Sequence, residues 1–154
     1  MKLAFAITML LLTAPALAGG PETFTGRWSG KGTYIYNGVM SQCREFSMTF
    51  EGTRESFEFV TGSRKCDNHE EEFANVKMEA RGGELFFYGQ KVGTYSENGQ
   101  LTAAYSLPEG NGHTRHWRMN MQRRGDHLMY EESRTMDEES TPLISFAGLM
   151  MLEK

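Results

Sequence analysis

Apolar side chains recur at every second position along most of this chain, the period of strands with one buried face. Residues 24–36 set the pattern, with Gly26, Trp28, Gly30, Gly32, Tyr34 and Tyr36 on one side and Arg27, Ser29, Lys31, Thr33 and Ile35 on the other. Glycine at alternate steps leaves a strip without side chains, where the sheet can bend or a neighbour approach closely. Asn37-Gly38 follows, a strong hairpin signal because both residues tolerate positive φ. Strict alternation over 39–51 puts Met40, Phe46, Met48 and Phe50 on one face and Cys43, Glu45, Ser47 and Thr49 on the other. Phe57 and Phe59 mark a short third strand ending near Gly62, and 63–72 reads as a polar, irregular loop. Further strands are expected over 73–80, over 85–95 with a bulge at Gly89, over 101–107, over 113–122 and over 127–136. The last of these carries Leu128, Tyr130, Glu132, Arg134 and Met136 on one face. In 143–154, Thr141-Pro142 can open a helix, whereas Gly148 and the closure of a sheet favour a ninth strand.

No helical stripe of useful length precedes that segment. Eight to nine strands joined in order by short turns predict an all-β fold, an antiparallel up-and-down β-barrel, because closure removes exposed sheet edges. Residues 1–18 stand apart. Lys2, an uncharged run over 3–13 and the ending Ala16-Leu17-Ala18 read as a signal peptide, leaving a single domain over 19–154 that opens on a flexible leader, Gly19-Gly20-Pro21. A soluble protein of the periplasm or the exterior is therefore expected. In such a compartment the only two cysteines, Cys43 and Cys66, predict one disulfide. The net charge of −4 gives no basis for nucleic-acid or anionic-membrane partners.

Gly26-Arg27-Trp28, early in the first strand of an exported β-rich chain, resembles the Gly-x-Trp motif of the calycins, the superfamily of lipocalins, fatty-acid-binding proteins and avidins. The resemblance implies a barrel in which Trp28 plugs one end, Gly26 and Trp28 are structural, and a ligand cavity opens at the other end. In lipocalins an arginine near the last strand packs over that tryptophan; here the final segment has none, and Arg134 is the nearest substitute. The two-helix lid of fatty-acid-binding proteins is absent, and no histidine after His127 matches that of the haem-binding barrels.

The chemistry is that of an interior wall. Phe46, Met48, Phe50, Phe57, Phe59, Trp117, Met119, Met121 and Tyr130 combine aromatic bulk with flexible thioethers, which suit either a packed core or an irregular apolar ligand. Arg115, Tyr130, Glu132 and Arg134 fall on the same inward faces. Arg134 with Tyr130 can hold a ligand carboxylate, or Glu132 can neutralise an arginine without any ligand. His113, His116 and His127 with Met119 and Met121 are copper-compatible types, but His113 and His116 project to opposite faces, so no metal or cofactor is expected. The acidic run 67–72 lacks the spacing of a calcium loop. No nucleophile elbow, zinc-protease helix or phosphate loop is present, and no enzymatic activity is expected. The leading expectation is a non-catalytic carrier of a small apolar or amphipathic molecule, bound by Phe46, Met48, Phe57, Phe59, Arg115, Trp117, Met119, Met121, Tyr130 and Arg134. The alternative is a filled barrel that binds a protein partner through its outside, as a periplasmic inhibitor or envelope accessory.

Overall fold

A computed structural model describes residues 19–154 except 74, 138 and 140; the expected signal peptide lies outside the described residues. Eleven strands make one antiparallel sheet: β1 (Gly26–Tyr36), β2 (Val39–Gly52), β3 (Ser56–Cys66), β4 (His69–Phe73), β5 (Val76–Arg81), β6 (Glu84–Phe87), β7 (Gln90–Tyr95), β8 (Gln100–Pro108), β9 (Thr114–Arg124), β10 (His127–Met136) and β11 (Ile144–Leu152). Strands adjacent in sequence pair in space, except that β5 pairs with β3 and not with β4, and the pairing of β1 with β11 closes the ring. The near half of β3 pairs with β5 and its far half with β4, so β4 and β5 together form one stave. The expected up-and-down barrel is therefore present, with eleven strands in place of eight to nine.

The two extra strands have local causes. Tyr88 and Gly89 both take positive φ, 50° and 76°, so 85–95 folds into a two-residue hairpin instead of one bulged strand. The stretch 63–72 is not an irregular loop. Residues 63–66 extend β3, and His69–Phe73 returns against it across a turn at Asp67-Asn68. The final segment is a strand throughout, and it takes the place between β1 and β10 that closes the barrel.

Two irregularities reverse the alternation. Between Cys43 and Glu45 the register of β2 shifts, so Ser41 and Cys43 face inward together with Phe46, Met48 and Phe50, while Met40 is turned out to solvent. That corrects the strict alternation, which put Cys43 outside and Met40 inside; one extra residue moves every side chain beyond it to the other face. In β3 the register slips at Val60, where Thr49 faces Thr61 and Phe50 faces Phe59, and this turns Gly62, Arg64 and Cys66 inward after Phe57 and Phe59. Cys43 and Cys66 then stand opposite one another and form the expected disulfide.

One end of the barrel is solid. The stretch after Gly20 is no loose leader, because Pro21–Phe24 forms a 3-10 helix laid across that end with Pro21 and Phe24 buried. Phe24 accepts a hydrogen bond from the Trp28 indole N–H at 2.8 Å, and Trp28 is fully buried. Gly52 leaves the space that the Pro21 backbone occupies, and Gly26, at φ +132°, leaves that of the Leu152 side chain. Arg123 of β9, and not Arg134, lies over Trp28, its guanidinium 5.3 Å from the ring centroid. Above this floor Phe50, Leu85, Leu101, Met121, Leu128 and Met150 are buried to within 0% exposure. The glycine strip of β1 works as its spacing suggests: a side chain at Gly30 would meet the Leu149 carbonyl, and one at Gly32 the Phe146 ring. Among the described residues no helix is long and apolar enough to cross a membrane.

Candidate functional site

The upper half of the barrel is not filled. A cavity of about 270 Å³ lies between the β3–β5 wall and the β8–β9 wall. Its apolar lining comes from Phe57, Phe59, Phe73, Val76 and Met78 on one side and Tyr105, Leu107, Trp117 and Met119 on the other. Alternation produces it: these positions are the inward residues of their strands, and the pleat aims them at one another. Tyr105 and Trp117, opposite in register, have nearly parallel rings, and Phe87 packs against Tyr105 from the β6–β7 hairpin.

Beside this cavity, and reaching it through Glu71 and Tyr130, lies a cluster of charges drawn from three strands. Arg64 (β3) stands opposite Glu71 (β4) in register, and Glu132 and Arg134 are two steps apart on β10. Glu132 accepts hydrogen bonds from Arg64 Nη1 at 2.7 Å, from Arg134 Nη2 at 2.9 Å and from the Tyr130 hydroxyl at 2.7 Å. Glu71 accepts from Arg64 Nε at 3.1 Å and from Arg134 Nη1. Two guanidinium groups thus share two carboxylates, and the cluster is neutral. Arg64 and Glu132 have fully buried side chains, Arg134 is 2% exposed, and Glu71 reaches solvent at 21%.

Aromatic faces complete the enclosure. The Arg64 guanidinium lies 4.6 Å from the Tyr34 ring centroid and 4.9 Å from that of Phe73, and Arg134 lies 3.6 Å over Trp117, its register partner. A planar guanidinium is weakly hydrated and stacks on aromatic rings, so arginine tolerates this burial better than lysine would. Burial alone would raise the Glu71 carboxyl, but the hydrogen bonds and charges of Arg134 and Arg64 outweigh it and hold the group down at about 2. Desolvation opposes the charge on Arg64, yet Glu132 and Glu71 more than offset it and push its guanidinium up. Burial, reinforced by Glu132, pushes the Tyr130 hydroxyl well above its ordinary range and keeps it a donor.

Glu71 and Arg115 line the cavity and also a wider recess at the open end of the barrel, which is bordered by Tyr34, Tyr36, Asn37, Asn68 and His69. His69 stacks on Tyr34 with ring centroids 4.7 Å apart. Arg115 Nε pairs with Glu109 at 2.8 Å on the rim.

Of the residues expected to bind a ligand, Phe57, Phe59, Arg115, Trp117, Met119 and Tyr130 line the cavity. Phe46, Met48 and Met121 belong to the packed core instead, and Arg134 is held in the charge cluster and borders the outer recess. Both groups proposed for a ligand carboxylate, Arg134 and Tyr130, are engaged by Glu132. The histidines are dispersed: His113 pairs with Asp137 and His116 with Ser106. Arg64 and Glu71 were not foreseen. Strict alternation from Phe59 turns Arg64 outward, and only the slip at Val60 brings it in; Glu71 needed the Asp67-Asn68 turn to be read as a hairpin.

No protein-family model matches the chain, and no curated protein matches it significantly.

Proposed function

We propose that the chain is an exported, non-catalytic, calycin-like barrel that holds one small apolar or amphipathic molecule in the chamber between β3–β5 and β8–β9. The observation that carries this reading is the uneven filling of the barrel. The Trp28 half is packed solid, whereas the other half keeps about 270 Å³ bordered by Phe, Met, Trp and Tyr. An apolar cavity of roughly 150 Å³ already takes a benzene ring, so this one has room for about ten carbon atoms. Each buried CH2 contributes about 0.8 kcal/mol, a gross gain of about 8 kcal/mol for ten. Lost translation and rotation cost at least about 4 kcal/mol, so apolar burial alone supports a Kd no tighter than about 1 mM, and any tighter binding comes from contacts to the polar end. The disulfide supports an oxidising compartment such as a periplasm.

Native mass spectrometry of the protein purified from its own envelope tests the reading. One adduct of roughly 150–200 Da per chain, in keeping with about ten carbons, is expected. A bare chain, with no thermal shift across a panel of short-chain lipids, would remove the proposal. A second reading, a barrel that works through its outside, is favoured by one feature: Met129, Leu149 and Met151 form an exposed apolar strip on β10 and β11. Envelope crosslinking that repeatedly captures one protein through this strip would favour it.

A further inference from the structure

The small-molecule reading of the cavity leaves the polar end of the ligand open, and the charges around the site narrow it. We infer that this site takes amphipaths whose polar end is uncharged and hydrogen-bonding, and that it selects against carboxylates; the inference rests on the small-molecule reading.

Three guanidinium groups surround the site: Arg115 lines the cavity and its mouth, Arg134 borders the mouth, and Arg64 lies fully buried beside them in the charge cluster. Four carboxylates accompany them: Glu71, Glu72 and Glu109 line the cavity, and Glu132 lies behind Glu71. Every one of these guanidinium groups already has a carboxylate partner, Arg64 and Arg134 each with both Glu71 and Glu132, and Arg115 with Glu109. An incoming carboxylate therefore finds no uncompensated positive charge. To reach Arg134 or Arg64 it must displace Glu71 or Glu132, and otherwise it sits beside them, with like charges meeting in a partly desolvated space. His69 at the mouth faces Glu71, its Nε2 3.5 Å from that carboxylate, and the remaining polar groups there are neutral: Tyr34, Tyr36, Asn37 and Asn68 offer hydroxyl and amide partners to an alcohol, amide or ester. The chamber holds the apolar part, and the wider recess beyond Glu71 and Arg115 receives the polar end.

Titration of the full exported chain with 1-decanol and with sodium decanoate at pH 7, followed by tryptophan fluorescence and calorimetry, tests this. Trp117 in the wall supplies the signal. The expected result is saturable one-to-one binding of 1-decanol at least tenfold tighter than decanoate. Decanoate binding as tightly as decanol, or more tightly, would overturn the inference while leaving the small-molecule reading intact. If neither compound binds, that reading fails and takes this inference with it. Glu71→Gln then supplies a gain of function. With one carboxylate removed, the excess charge of Arg64 and Arg134 should recruit decanoate and reverse the order. A folded Glu71→Gln chain that still prefers decanol by the same factor would contradict the charge argument. The wild-type comparison decides on its own should that variant not fold.

Discussion

Replacing Glu132 by glutamine removes one charge from the barrel interior and almost no volume. In the native chain Glu132 takes three hydrogen bonds, from Arg64, Arg134 and Tyr130, with its side chain wholly out of solvent. After Glu132→Gln, two guanidinium groups share the single carboxylate of Glu71, and an amide N–H2 competes with the donors around it. Breaking a buried pair by removing one partner costs about 3–5 kcal/mol, because the remaining charge is left uncompensated. For a domain of this size that corresponds to a fall in Tm of about 12–20 °C. Urea denaturation followed by circular dichroism gives the free energy, and calorimetry gives Tm. A second variant isolates the electrostatic part: Arg64→Met in the Glu132→Gln background restores the charge balance while keeping an apolar, flexible side chain among Tyr34, Phe73 and Phe146. The double variant should be at least about 1 kcal/mol more stable than the sum of the two single losses, the coupling that contacting groups show. A loss below about 1 kcal/mol for Glu132→Gln, or strict additivity in the cycle, would refute the description of this cluster as mutually dependent buried charges.

Three further outcomes follow from the same geometry. The Glu71 carboxyl is held at about 2 against an ordinary 4.5, a lowered folded value, so its contribution is whole above pH 4.5 and is lost as pH falls toward 2. The shift sets an upper figure of about 3 kcal/mol, which solvent contact reduces to about 1–2 kcal/mol; Glu71→Gln should flatten stability against pH across that window, and an unchanged slope would count against the pairing. Joint replacement of Cys43 and Cys66 by serine should cost about 3 kcal/mol, since the bond spans a sequence separation of 23, and denaturation of the wild type with and without reductant should show the same difference. Trp28→Phe should cost about 2–4 kcal/mol, measured by urea denaturation, because it strands the buried Phe24 carbonyl and leaves a smaller ring beneath Arg123.

Much of the architecture is visible along the chain because inward and outward faces alternate. Trp28, the Leu128–Met136 face and the Leu101–Leu107 face all follow that rule. The failures occur where one residue breaks the count. The slip after Cys43 reversed Met40, the slip at Val60 hid Arg64, and positive φ at Tyr88 turned a supposed bulge into a hairpin. Nothing local in the sequence announces such slips, since they are fixed by pairing with strands distant along the chain. The charge cluster was half legible for the same reason: Glu132, Arg134 and Tyr130 share one regular strand, while their partners Arg64 and Glu71 come from the hairpin that strict alternation missed. The cavity is a property of packing in three dimensions. Met48 and Met121 fill the core and Met119 borders the void, yet all three are methionines at inward strand positions.

The chamber itself is the decisive object. Leu107 of β8 lines it, and Leu107→Trp puts a bulky indole into space that an apolar ligand would use. Calorimetric titration of 1-decanol into the wild type and into a folded Leu107→Trp chain measures occupancy directly. One-to-one binding by the wild type, weakened at least tenfold in the filled variant, is the predicted result. Equal binding by both chains, or none by the wild type, would contradict a ligand held inside this barrel.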